Sequence, residues 1–311
     1  MRAPCLLVLA LLVAAVRTQE VAELVAKLAA AATLDEAMVG EDGARTDTYR
    51  IYEQLRGRAR VAELRALLVH DSRIVRGYAA RALAEIGADV DWRALVTAHL
   101  ADTTTVRTRG GCSVQDEPFG DWLFALGEQR QLLAGEALLD VAEQLVREKS
   151  PLYARERCLR QLRFRDGMLH EIRALARAGD GPALIALARF GLAGDVPLVV
   201  ERLHAERPFA DNCAFLAAAL LRDARILDAL AELEPRAREH IAADIPERLR
   251  FWLAAIVAQD SAGAAALLLR VARWPLADAA KQKGLRETLR GALAPVAARE
   301  VFAEVRALLA K

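Results

Sequence analysis

Beyond residue 20, apolar residues recur at steps of three and four, and this period constrains the fold more than any other feature. In Ser72–Ile86 the residues Val75, Tyr78, Ala79, Ala82, Leu83 and Ile86 follow it, with Arg73, Arg76, Arg81 and Glu85 falling mostly on the other side. Ser72 is suited to cap the helix that this spacing predicts. Just before it, Val61, Leu64, Leu67 and Leu68 keep the same spacing, so two short amphipathic helices meet at a turn around His70-Asp71. Ala, Leu, Arg and Glu dominate the 311 residues, whereas Asn occurs only at Asn212 and Ser only at Ser72, Ser113, Ser150 and Ser261. That usage favours helix over a β-sandwich. The expectation is an all-α fold.

Proline punctuates the chain at Pro151, Pro182, Pro197, Pro208, Pro235, Pro246, Pro275 and Pro295, each near the start of an amphipathic segment, where a missing N–H is tolerated. The spacing predicts a series of helical hairpins. Asp195, Asp223 and Asp260 each stand where they could cap a helix that follows an Ala/Leu-rich one. Phe251–Val257, with Leu249, Trp252, Leu253 and Ile256 on one stripe, reads as core between hairpins.

The stretch Leu67–Gly87 closely resembles a HEAT repeat: Asp71 ends the turn after the first helix, and Val75-Arg76, Ala79 and Ala82-Leu83 mark the second. The chain is similar to bacterial exported HEAT-repeat proteins of the phycobilin-lyase-like kind, most of which are not lyases. The resemblance implies an α-solenoid of stacked antiparallel hairpins over residues 20–311, with Asp71 and Arg76 tying successive repeats together. It also implies a curved surface free to bind a protein partner.

Residues 1–19 read as a secretory signal: Arg2 supplies the positive start, and Cys5–Val16 is an apolar run too short to span a bilayer. Export would place the mature chain in the periplasm or outside the cell, with no membrane span left in it. Three cysteines then remain. Cys158 and Cys213 sit on apolar helical faces, as small buried hydrophobes do, while Cys112 lies in a glycine-bearing segment and is open to disulfide formation or to a free thiol.

That segment, 102–118, breaks the helical period and is expected to be a long irregular loop. It holds the best candidate site, Arg107, Arg109, Gly110, Gly111 and Cys112, where guanidinium forks and backbone N–H groups could meet an anion or a partner. The same residues suit, and more readily, a structural insertion in which Gly110-Gly111 make the turn, Val106 and Val114 pack, and Arg107 or Arg109 pairs with Asp116 or Glu117. A second irregularity, Leu34–Arg45, is expected to be a solvated loop. Phe119-Gly120-Asp121-Trp122 then opens another helix, with Asp121 as its cap and Trp122 and Leu126 facing inward.

A formal net charge of +1, from 43 basic and 42 acidic residues, argues against a nucleic-acid binder. The basic residues are 38 Arg against five Lys, a bias that genome composition alone could produce. Catalytic motifs are missing. His170-Glu171 lacks the second His of a zinc helix, and no phosphate loop, dinucleotide fingerprint, nucleophile elbow or Cys-x-x-Cys occurs. No metal or cofactor is expected. These features favour an exported scaffold that binds a protein partner without catalysis; the alternative is an enzyme or a chromophore- or ligand-handling protein using the Arg107–Cys112 segment.

Overall fold

The computed structural model describes residues 3–205, 209, 212–242, 246–276 and 278–310. Helices take 67% of the chain, but the all-α solenoid is overturned by a three-stranded mixed sheet near the N-terminus. The two segments read as loops are its strands. The chain divides into two compact units, residues 1–155 and 156–311.

The first unit runs α1 (Ala3–Ala29), β1 (Leu34–Val39), α2 (Asp47–Arg58), α3 (Val61–Leu67), α4 (Arg73–Glu85), α5 (Trp92–Thr97), β2 (Thr105–Gly111), β3 (Ser113–Pro118), α6 (Phe119–Gln129) and α7 (Gly135–Arg147). Its boundary falls within α8 (Tyr153–Gln161). The paired helices α3 and α4 form as the spacing predicts, and the Ser72 hydroxyl accepts from the Val75 N–H. β1 pairs parallel with β2 across the intervening helices, and β2 turns back into antiparallel β3. Gly111 makes that turn possible: its φ of +52° opens a two-residue Gly111-Cys112 connection, closed by the Gly110–Ser113 pair. On the sheet's inner face Leu34 and Val106 are fully buried against the helices. Gly77 on α4 lets Leu34 approach, because a Cβ there would collide with it.

The second unit contains α9 (Leu169–Arg177), α10 (Gly181–Ala188), α11 (Val196–Leu203), α12 (Cys213–Leu220), α13 (Ala224–Glu232), α14 (Glu234–Ala242), α15 (Pro246–Ala258), α16 (Ala262–Ala272), α17 (Ala279–Leu293) and α18 (Ala303–Leu309). In one layer α10 packs on α12, α12 on α15 and α15 on α17; in the other α11 meets α13 and α16 meets α18. Trp252 is fully buried in α15, its indole N–H donated to the Leu230 carbonyl at 3.0 Å. Cys158 and Cys213 are buried as well. Of the three aspartates expected to cap helices, Asp223 and Asp195 stand at N-cap positions, of α13 and α11, but only Asp223 makes the side-chain bond. Asp195 instead takes both prongs of Arg173, and Ser261 replaces Asp260 as the cap of α16. Asp260 lies beside Arg222 and Arg299.

The arginine bias has a structural use. Arg17 donates to the carbonyl of Arg58, Arg65 to that of Asp89, Arg189 to those of Leu159 and Arg160, Arg202 to that of Gly179, Arg236 to that of Ala205 and Arg290 to that of Leu309. Apart from Asp89, which lies in the connection between α4 and α5, each acceptor lies in the last turn of a helix or just beyond it, where carbonyls lack intrahelical donors and the helix dipole favours a cation. A guanidinium fork can serve two such carbonyls at once, which an ammonium does less well.

Candidate functional site

The expected loop of residues 102–118 is a β-hairpin, and its arginines are held by partners within the fold. Arg107 spans the hairpin to Asp116 with bonds of 2.8 and 2.9 Å. Arg109 reaches Asp35 on β1 with bonds of 3.1 and 2.7 Å. Asp35 is fully buried, and it also accepts from the hydroxyls of Thr33 and Thr46. Burial alone would raise its proton affinity, but Arg109, Thr46 and Thr33 outweigh that and hold the carboxyl below its ordinary value. Asp35 is the residue that sequence reasoning missed. It lay in a segment expected to face solvent, 74 residues from its partner.

The sequence candidates are therefore distributed rather than gathered. Asp71, Arg76 and Arg107 line one polar cleft of about 790 Å³, together with Arg73 and Asp116. Arg109 and Gly110 border a separate groove of about 330 Å³, between the sheet and α6. Gly111 and Cys112 form the turn, with the Cys112 thiol exposed. In the first cleft Arg76 donates to the His70 carbonyl at 3.1 Å, stands 3.7 Å from Asp102 and lies over the Phe119 ring. Asp71 offers Arg76 its carbonyl at 3.4 Å. Asp121 does not cap its own helix; its carboxylate accepts from the N–H groups of Tyr153 and Ala154 at the start of α8.

The two edges of the sheet are treated differently. On β1, the Asp35 N–H donates to the Tyr78 hydroxyl at 2.8 Å and Arg81 donates to the Asp35 carbonyl at 2.7 Å, so α4 occupies the place of a further strand. On β3 nothing does so among the described residues. Because the Gly110–Ser113 pair closes the hairpin, alternate residues bond to β2, and Val114 and Asp116 turn their N–H and C=O groups outward. Ser113–Asp116 are all exposed, Val114 at 60%. Such an edge is a template for another strand.

The groove faces the same side of the sheet as Ser113, Gln115 and Glu117 and is walled by Trp122 and Leu126 of α6, both largely buried. Thr108 donates its hydroxyl to Glu117 at 3.0 Å. Burial pushes the Glu117 carboxyl above its ordinary value, and the negative charges of Asp121 and Glu36 push in the same direction. Among the described residues no group of three or more His, Cys, Asp and Glu is placed to hold a metal ion, and no helix is long and apolar enough to cross a membrane. No family model matches this chain, and neither a curated protein nor a solved structure matches it.

Proposed function

We propose that this chain is an exported, non-catalytic binding protein that takes an extended segment of a protein partner as a fourth strand on β3. The carrying observation is the contrast between edges: the outward backbone groups of Asp35 are satisfied by Tyr78 and Arg81, while those of Val114 and Asp116 have no partner among the described residues. Backbone hydrogen bonds would supply affinity to an added strand, and side chains of alternate parity would supply selectivity. Export rests on Arg2 and the apolar run Cys5–Val16.

The test is selection of random linear twelve-residue peptides on the wild-type protein, followed by measurement of each recovered peptide on Val114→Pro. Proline removes the outward N–H of Val114 without removing a bond to β2. Strand docking predicts recovered peptides whose binding is lost on Val114→Pro while its melting curve stays close to wild type. Recovery of no binder, or of peptides insensitive to this substitution, would overturn the reading. Should Val114→Pro lower the melting temperature substantially, peptides N-methylated at alternate positions address the same bonds from the other side, and retained binding by both parities would refute it.

A further inference from the structure

Resting on the strand-docking reading, we infer that the groove beside β3 receives a guanidinium or ammonium side chain of the docked segment, held between the carboxylates of Glu117 and Glu36.

The pleat sets the geometry. Residues directly opposite each other on neighbouring strands project to the same face, with Cβ atoms about 5 Å apart. A partner residue opposite Gln115 or Glu117 therefore points its side chain to the groove side of the sheet. The groove, about 330 Å³, has room for one long side chain lying along the Trp122 wall.

The charges set the chemistry. Glu36 and Glu117 both line the groove, and Asp121 is close enough to raise the proton affinity of Glu117 further. The two cations already present are committed: Arg81 donates to the Asp35 carbonyl, stands 3.6 Å from Glu36 and packs over the Tyr78 and Trp122 rings, and Arg109 is bonded to the Asp35 carboxylate. Glu117 itself has the neutral hydroxyl of Thr108 as its donor. An incoming cation would relieve that half-buried carboxylate, whereas an incoming anion would meet the like charges of Glu36 and Glu117, with Asp121 nearby, while the arginines of the groove already hold partners. Gly110 leaves room for Glu36 beside the groove, since a Cβ at that position would lie 2.9 Å from the Glu36 Cγ.

The experiment reads the peptides that bind wild type and lose binding to Val114→Pro. The inference predicts Lys or Arg enriched at alternate positions among them. It also predicts that replacing that residue by norleucine or citrulline, or introducing Glu117→Gln in the protein, weakens binding by about tenfold. The two changes together should cost little more than either alone. Peptides that depend on the β3 edge yet show no basic enrichment and no response to Glu117→Gln would overturn the cation site and leave strand docking standing. Peptides indifferent to Val114→Pro would remove both.

Discussion

Arg109 on β2 grips Asp35 on β1 through two hydrogen bonds, of 3.1 and 2.7 Å, and so joins strands whose residues stand 74 apart in sequence. Asp35 is fully buried, while the Arg109 side chain keeps about a third of its surface in solvent, 36%. The pair thus fixes β1 beside the hairpin from within. A residue that looked like a presented anion ligand is part of the sheet's construction.

Removing Arg109 leaves a buried carboxylate with only two threonine hydroxyls. Arg109→Met is therefore expected to destabilise the first unit by about 3 kcal/mol, within the range for breaking a buried pair from one side. Asp35→Asn should cost less, because the guanidinium left behind can be solvated. Urea denaturation of the two variants checks the order; a larger loss in Asp35→Asn would contradict it.

The same pair predicts an acid limb. The folded Asp35 carboxyl titrates below its ordinary value of 3.8, so its contribution to stability is fully present above that value and disappears as pH falls through the lower, folded one. Glu117 acts with the opposite sign. Its folded value lies above 4.5, so between the two values protonation favours the fold and stability rises as pH falls. Denaturation across pH 2–6 should show a shallower acid loss in Asp35→Asn than in wild type, and Glu117→Gln should be no less stable than wild type at neutral pH.

In the second unit, Gln259 is buried and donates its amide to the carbonyls of Ala218, Leu221 and Ala255 while accepting from the Asp223 N–H. Gln259→Leu has a similar volume but strands these groups, and a loss of about 2–3 kcal/mol is expected. Thermal melting reads it. An unchanged midpoint would show that the end of α12 can find other donors.

The helix α1 runs without interruption through the segment expected to be a signal, and its buried residues include Val21, Leu24 and Leu28. A chain beginning at Glu20 keeps all three and loses the Arg17 bond to the Arg58 carbonyl. Its stability is expected to lie within about 1 kcal/mol of the full chain, the scale of one exposed hydrogen bond. A collapse of the fold on removing residues 1–19 would contradict the signal assignment.

Helices were legible because their periods are local: Ser72 and the stripe from Val75 to Leu83 specify α4 with no information from elsewhere. The sheet was not, because Leu34 and Val106 are the only apolar residues buried in its strands, too few for an alternating pattern to stand out. A signal did exist in the hairpin. Thr105-Val106-Arg107-Thr108-Arg109 and Val114-Gln115-Asp116-Glu117 flank a glycine-led turn, and Arg107 faces Asp116. The parallel partner Leu34–Val39 has no such local mark. Its pairing depends on Asp35 meeting Arg109, Tyr78 and Arg81 after the helices have packed, and a one-dimensional period does not contain that meeting.

The central claim is that β3 is an open edge that accepts a strand. Hydrogen exchange of the individual amides of Ser113–Glu117, with and without a bound peptide, tests it most directly. Strand addition predicts that the Val114 and Asp116 amides become protected on binding, whereas Gln115 and Glu117, already bonded to β2, change little. Peptide binding that leaves Val114 and Asp116 exchanging at their unbound rates would contradict the account.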